Sequence, residues 1–302
     1  MAKGQTLADN AREQRRAYWM LVLPGFLLYF FVMAFPTVFS IFLSLSDYNG
    51  GRIFGGRTIN LVGLKWYKRM FADEYFYLSL KNNLLIVLVS VFGQIPLGFF
   101  LAYVLYRGLV KGADFFQTMI YLPTVISTVV VGILWKSFFS PYGTFPEIVR
   151  IFKPGYEYEI SRHPMLPVLF VILWMYTGMY LIIFMANLQK IDNSVIEAAR
   201  IDGASEWQTL RYVILPALSG VIVTTAILAI SGSLKSFDLI FVMTAGGPAN
   251  RTSVLSIYMF NKAFRGKPTY PLANAISTVM VLISFALIAL TKLTERKFGG
   301  RE

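Results

Sequence analysis

The chain has 302 residues, of which 56% are hydrophobic and only 15% charged, with a mean hydropathy of +0.58. An ordinary soluble domain carries roughly 25% charged residues, so the excess apolar mass belongs in lipid. Cys is absent, which excludes disulfides, thiolate metal sites and a Cys nucleophile. The net charge is +12, but the cations lie between long apolar runs and form no single stripe, so they read as membrane-flanking anchors and not as a nucleic-acid surface.

The N-terminal segment carries Arg12, Arg15 and Arg16 ahead of an apolar run over 18–45. That run is too long for a signal-peptide core and has no small-residue cleavage site, so it is expected to span the membrane. A bilayer core of about 30 Å needs roughly 20 apolar residues as helix, because lipid offers the backbone no hydrogen-bond partners. Six segments meet that requirement: 18–45, 84–106, 115–139, 166–188, 218–243 and 272–290, the fifth interrupted near 231–238. They predict an all-α polytopic membrane protein with both termini on one side. The basic clusters at Arg12, Arg15 and Arg16 and at Lys292, Arg296, Lys297 and Arg301 make that side the cytoplasm, although the Lys and Arg totals of the two faces are nearly equal. The loop 46–83 is long, Gly-rich and charged. It divides the chain into 1–80 (tail, first span and extracytoplasmic loop), a compact transmembrane unit over 81–295, and a cytoplasmic tail over 296–302.

Several spans carry groups that cost free energy in lipid. Gln94 sits beside Gly93 and Pro96, and Thr124, Ser127 and Thr128 follow Pro123. They read either as interhelical glue, with Gly98 and Ala102 as a small-residue contact, or as pore lining. Pro24, Pro36 and Pro96 are expected kinks. In the fifth segment Ser231, Gly232, Ser233, Lys235, Ser236 and Asp238 crowd into an apolar helix. Either this is an intramembrane site, or the helix ends near Leu234 and the charges snorkel to water. Trp174, Tyr176 and Thr177 in the fourth segment supply aromatic faces and a hydroxyl, and are expected to face that break. His163, the one imidazole, lies among polar and Pro residues outside the apolar runs and reads as a solvated loop residue. No metal-ligand cluster and no acid–base pair within the spans suggests catalysis.

Between the fourth and fifth segments runs Asn193-Ser-Val-Ile-Glu-Ala-Ala-Arg-Ile-Asp-Gly-Ala-Ser-Glu-Trp-Gln-Thr-Leu-Arg-Tyr-Val-Ile-Leu-Pro216. Ser194 followed by Glu197 predicts a capping box and a helix start outside the membrane. Gly203 can take the left-handed conformation that ends the helix, Ser205 can cap a second one, and Pro216 suits the start of the fifth span. The product is a polar helix–turn–helix knuckle, for which a plain connector is a sufficient physical reading.

These residues resemble the EAA motif of permease subunits in binding-protein-dependent ABC importers. Glu197, Ala198, Ala199, Gly203, Val213, Leu215 and Pro216 fall into its register, with Val213 where Ile is more usual. Phe237-Asp238 followed by Thr244-Ala-Gly-Gly-Pro-Ala-Asn-Arg-Thr252 is similar to the sugar branch, including the larger permease subunit of maltose systems. With Trp174 the resemblance covers roughly 81–295, in a short six-span form that lacks the maltose subunit's large periplasmic insertion and extra leading helices.

The resemblance implies a type I ABC importer permease fold with a cytoplasmic coupling-helix loop. It implies a heterodimeric pore with a second, related permease, two cytoplasmic ATP-binding cassette ATPases and an extracytoplasmic sugar-binding protein, in the cytoplasmic membrane of a bacterium or archaeon. ATP and Mg would belong to the ATPases. This chain has no Gly-x4-Gly-Lys-Ser/Thr loop and would be neither an enzyme nor a cofactor carrier. The Ala198–Ala199 face would pack on an ATPase, Glu197 and Asp202 would pair with its basic groups, and Gly203, Leu215 and Pro216 would shape the loop. A carbohydrate, a di- or oligosaccharide, would pass Trp174, Tyr176, Thr177, Ser231, Gly232, Ser233 and Ser236. The alternative class is an ion-coupled secondary transporter of a small polar solute, for which paired broken helices are expected and one is evident.

Overall fold

A computed structural model describes residues 7–51, 59–155 and 162–298, with 7–12 and 294–298 described as backbone only. The terminal anchors Arg12, Arg296, Lys297 and Arg301 fall outside the described side chains. Among the described residues every regular element is helical, and one isolated bridge joins Ser46 to Leu61.

The first span runs as α1 (Leu7–Tyr29), a π-helical turn (Phe30–Ala34) and α2 (Phe35–Ser44). A short helix, α3 (Lys65–Phe71), precedes α4 (Glu74–Val89), a second π turn (Ser90–Gln94) and α5 (Ile95–Tyr106), which together form the second span. A third π turn (Leu210–Ile214) precedes α12 (Leu215–Ala217). Each π turn ends two residues before a proline, at Pro36, Pro96 and Pro216. Proline lacks the N–H and its ring clashes with the carbonyl four residues back, so the backbone widens by one residue to pass it. At Pro36 and Pro96, where kinks are expected, a π-helical turn lies within a continuous helical span, whereas Pro24 lies inside regular α-helix.

Two of the six spans are bent. The third is α6 (Ala113–Val125) followed by α7 (Thr128–Phe138) at 95°, with Ile126 and Ser127 extended between them. The apolar run gave no sign of this turn. Tertiary contact sets it: Thr124 Oγ1 donates to the Met175 carbonyl at 2.8 Å, and a Cβ added at Gly132 would meet Val242 at 3.0 Å. After α8 (Thr144–Phe152), α9 (Met165–Leu188) crosses as the fourth span, and α10 (Asn193–Ile201) and α11 (Glu206–Thr209) form the knuckle.

The fifth span is α13 (Ser219–Leu234), bent 66° from the helix ending at Ala217. The break falls at 235–237, so Ser231, Gly232 and Ser233 remain helical, and α14 (Asp238–Thr244) follows. α15 (Leu255–Phe264) and α16 (Tyr270–Phe298) complete the chain. α7 and α14, the outer halves of the two broken segments, pack on one another.

The core is built around α9, whose Val168, Met175, Leu181, Phe184 and Leu188 are buried on several sides. In lipid the drive is close packing and not apolar transfer, so small residues matter. The expected Gly98 and Ala102 contact is present. A Cβ at Gly98 would lie 2.7 Å from Tyr180 Cβ and 3.0 Å from the Leu181 nitrogen, and Ala102 is fully buried. Gln94 serves as glue, its Nε2 donating to the Ile172 carbonyl at 2.6 Å. Part of the segment 46–83 is helical and buried, since Met70 of α3 and Phe76 of α4 pack with Leu255, Tyr258 and Leu272. The first span, by contrast, leaves most of its apolar side chains exposed and touches the bundle through α2, where Ser40 Oγ donates to Asn274 Oδ1 at 2.9 Å.

Candidate functional site

The knuckle is a rigid, anchored corner. Its first helix is capped by Asp192, whose carboxylate accepts from the Ser194 amide at 2.9 Å. That bond holds the Asp192 carboxyl below its ordinary value. The capping box expected from Ser194 and Glu197 does not form, because Asp192 is the cap and the helix starts at Asn193, two residues earlier than a Ser194 cap would set it. A capping box does form one helix later, where Ser205 N donates to Gln208 Oε1 at 2.7 Å and Gln208 N to Ser205 Oγ at 3.3 Å. Gly203 makes the turn at φ +84, and the Ala204 amide closes it on the Ala199 carbonyl.

Two contacts fix the corner to the spans. Ile196 is buried among Leu188, Ile214 and Leu218, at the junction of the fourth and fifth spans. Glu206 Oε1 accepts from Arg107 at the end of α5 and, at 3.1 Å, from Arg200. Outward, Glu197, Ala198, Asp202, Gly203 and Pro216 are exposed, and Ala199 and Leu215 half-buried. Ile201 and Trp207 also stand in solvent, at 86% and 65% exposure, and add an apolar face that the sequence reading missed.

Inside the bundle a cavity of about 300 Å³ lies between α4, α9 and the break after α13. It is lined by Tyr176, Gly232, Ser233 and Ser236, as expected, with Ser90, Gln94, Lys235 and Asp238 beside them. Ser233 Oγ lies 3.0 Å from Ser90 Oγ and 2.7 Å from the Ala229 carbonyl. Lys235 and Asp238 are both exposed at the break. Trp174, Thr177 and Ser231 are not part of the lining. Trp174 packs edge-on against Trp135 at 5.3 Å, and Thr177 is buried with its hydroxyl on the Leu173 carbonyl at 2.5 Å. The lining combines phenols, hydroxyls and an amide with one cation and one carboxylate among apolar walls, groups that can hydrogen-bond a polyhydroxylated solute.

The cavity is braced by residues that sequence reasoning passed over. Asn83 Nδ2 donates to the Ser233 carbonyl at 3.0 Å while its Oδ1 accepts from the Leu255 amide at 2.7 Å. Asn82 Nδ2 reaches the Arg251 and Ser253 carbonyls at 2.9 and 2.8 Å. Two successive amides at the edge of an apolar run were the available signal. The segment 244–252 is a compact turn in which Thr252 Oγ1 donates to the Gly247 carbonyl at 2.8 Å and lies 2.7 Å from Thr244 Oγ1.

The family model for the inner membrane component of binding-protein-dependent transport systems matches residues 94–300. This chain belongs to that family. The permease is similar to the lactose transport system permease protein LacF of Rhizobium radiobacter, 34% identical over 92% of this chain and 95% of the relative. It is 31% identical to the multiple sugar-binding transport system permease protein MsmF of Streptococcus mutans, over 95% and 98%. Its fold matches a chain of a bacterial alginate ABC transporter crystallised with an alginate pentasaccharide-bound periplasmic protein. That match has a TM-score of 0.80 at 20% identity and covers 97% of this chain and 98% of the other. The permease is thus a multi-pass, all-α membrane protein with the type I ABC importer permease fold, six spans counting each bent pair once.

Proposed function

We propose that the permease forms half of the translocation pathway for a carbohydrate, a di- or oligosaccharide, with a second related permease as the other half. Two separate ATPases hydrolyse ATP with Mg, and an extracytoplasmic binding protein delivers the sugar. Both termini face the cytoplasm of a bacterial or archaeal inner membrane. One observation carries the reading: an anchored knuckle with the EAA register stands at one end of the spans, and a cavity of phenols and hydroxyls opens at the break of the span that follows it. The names of relatives that handle lactose and multiple sugars support the solute class.

In this reading the exposed Ala198, Glu197, Asp202, Ile201 and Trp207 meet an ATPase. Movement there passes through Ile196 and Glu206 into the fourth, fifth and second spans and opens or closes the cavity by differential contacts in two states. Tyr176, Gly232, Ser233 and Ser236 line the solute path. The remaining three residues of the expected path, Trp174, Thr177 and Ser231, support it by packing. The test is uptake of labelled sugars by proteoliposomes holding both permeases, the ATPases and the binding protein. ATP-dependent, binding-protein-dependent accumulation is expected, and uptake driven by an ion gradient without ATP overturns the reading.

A further inference from the structure

A second cleft lies at the membrane boundary beside the knuckle. The fourth span ends at Leu188, and Lys190, Ile191 and Asp192 carry the chain from it into α10. On the other wall the entry to the fifth span presents Val213, Ala217 and Val221, so a stripe of every fourth residue lines the cleft. The space between the walls is about 370 Å³. It shares no lining residue with the cavity at the break. It also lies away from the face assigned to an ATPase, because Val195, which lines it, and Glu197 point nearly opposite ways on α10 at about 100° per residue.

The cleft is divided by chemistry. Its walls are apolar, whereas Lys190 and Asp192 stand exposed at its rim. Among the described residues neither charge is in an ion pair, so both are left for water or a ligand. The Ser194 amide holds the Asp192 carboxyl below its ordinary value, which keeps it ionised at neutral pH. Asn187 uses its Nδ2 on the Ile183 carbonyl at 2.8 Å and so keeps its Oδ1 as a further acceptor. A cation, a carboxylate and an amide oxygen over apolar walls complement a molecule that carries a phosphate, a primary ammonium and a hydrocarbon chain. A purely anionic headgroup would bring its charge against Asp192. A trimethylammonium headgroup has no N–H to give to Asp192 or Asn187.

We infer that this cleft is a site for a phosphatidylethanolamine lipid of the knuckle-side leaflet. The phosphate meets Lys190, the ammonium meets Asp192, and the first methylenes of an acyl chain lie along Val213, Ala217 and Val221. The spans are solvated by lipid, so such an occupant is at hand at high local concentration. It joins the end of the fourth span to the start of the fifth across the 66° bend and braces the corner that carries the knuckle. The site stands whatever solute the permease carries.

The experiment uses the permease purified with the subunits that accompany it and stripped of lipid. It is titrated with dioleoyl phosphatidylethanolamine, phosphatidylcholine or phosphatidylglycerol, and bound lipid is counted by native mass spectrometry. Phosphatidylethanolamine is expected to bind about tenfold more tightly than the other two. Lys190→Gln and Asp192→Asn are each expected to lose that preference, the second while keeping a helix cap, and Lys190→Arg to retain it. Ala217→Trp fills the cleft and is expected to lose the bound lipid with both charges intact. The unfolding temperature is expected to follow, rising with phosphatidylethanolamine in the wild type and not in Ala217→Trp, because a ligand of the folded state alone stabilises it. Equal affinities for the three lipids overturn the inference, as does unchanged binding in assembled Lys190→Gln and Asp192→Asn. Phosphoethanolamine that competes as well as the whole lipid also overturns it, by assigning the cleft to a soluble ligand. Loss of a co-purifying subunit from Ala217→Trp overturns it too, by assigning the cleft to a subunit contact.

Discussion

Arg107, the residue that caps the end of the second span, and Glu206, the first residue of the knuckle's second helix, form an ion pair across 99 residues of sequence, and Arg200 of the knuckle's first helix shares the same carboxylate oxygen. The Arg107 side chain is 17% exposed and that of Glu206 is 59%, so the pair is a surface pair with one sheltered end. A charge-assisted bond in such a setting contributes about 1 kcal/mol.

Arg107→Glu is therefore expected to loosen the knuckle from the second span without unfolding the bundle. About 1 kcal/mol corresponds to roughly a fivefold change in the correctly placed population. Sugar taken up per ATP hydrolysed is expected to fall by about that factor, and Arg107→Glu with Glu206→Arg to recover much of it. Equal coupling ratios in the single variant and wild type would show that the pair only decorates the corner.

Asn83→Leu removes two bonds at once and leaves the Leu255 amide and the Ser233 carbonyl without a side-chain partner in a buried site. A loss of about 2–3 kcal/mol is expected, read as a lower unfolding temperature of the purified complex. Asn83→Asp keeps the acceptor for Leu255 but loses the donor to Ser233, so its unfolding temperature is expected between the two.

Gly98→Leu and Gly178→Ala test the packing of the spans. A Cβ at Gly98 overlaps Tyr180 Cβ at 2.7 Å, and one at Gly178 meets the Ile120 carbonyl oxygen and lies 2.7 Å from Tyr121 Cα. Because the opposing atoms are largely backbone, relief requires helices to separate, at a cost of about 1–3 kcal/mol each. Gly232→Ala is the control, with no atom within 4 Å of its added Cβ. It is expected to leave the unfolding temperature unchanged.

The spans were legible because lipid forces every backbone group into helix, so apolar length alone reports them. Their bends were not, because an apolar run carries no sign of direction: 115–139 reads as one helix although Ile126 and Ser127 are extended. The knuckle was legible from Gly203 and Ser205, whose chemistry is local. Its cap was misplaced because Asp192 and Ser194 are both good caps and the helix start decides between them. At about 100° per residue Trp174 and Tyr176 point nearly opposite ways, so both could not face the break. The same spacing puts Gly232 and Ser233 toward the cavity and turns Ser231 away, while Ser236 reaches it from the break after the helix.

The Asp73 cluster gives stability a defined pH dependence. Burial pushes the Asp73 carboxyl up, but bonds from Lys262, Tyr258 and the Tyr75 amide outweigh it and hold the group below its ordinary value of 3.8. Burial and the bond to Asp73 push the Tyr258 hydroxyl up. A depressed carboxyl stabilises the fold above the unfolded value and loses that contribution as pH falls through the folded one. Asp73→Asn keeps a helix cap and removes the charge. It is expected to lower the unfolding temperature at pH 7 by the equivalent of about 1 kcal/mol, and the gap from wild type to close below pH 3.8. A gap that persists in acid would assign the loss to packing.

Gly203 separates backbone strain from crowding at the knuckle. Its φ is +84, and a Cβ added there would meet no atom within 4 Å, so any effect of substitution comes from the left-handed backbone and not from collision. Asn enters that region readily, Ala at a cost, and a β-branched residue at about 1–2 kcal/mol or more. Gly203→Asn is expected to retain uptake, Gly203→Ala to reduce it, and Gly203→Val to abolish coupling by tilting α11 away from Arg107. Because the turn lies outside the spans, all three variants are expected to insert and accumulate normally. The order of the three is the decisive measurement. A passive connector would tolerate every one of them, and a surface in steric contact with an ATPase would reject Asn, a larger side chain than Ala, more strongly than Ala. Only a turn whose geometry aims the second helix ranks them by their tolerance of positive φ, with uptake following that rank while ATPase co-purification stays high in Gly203→Asn and falls in Gly203→Val.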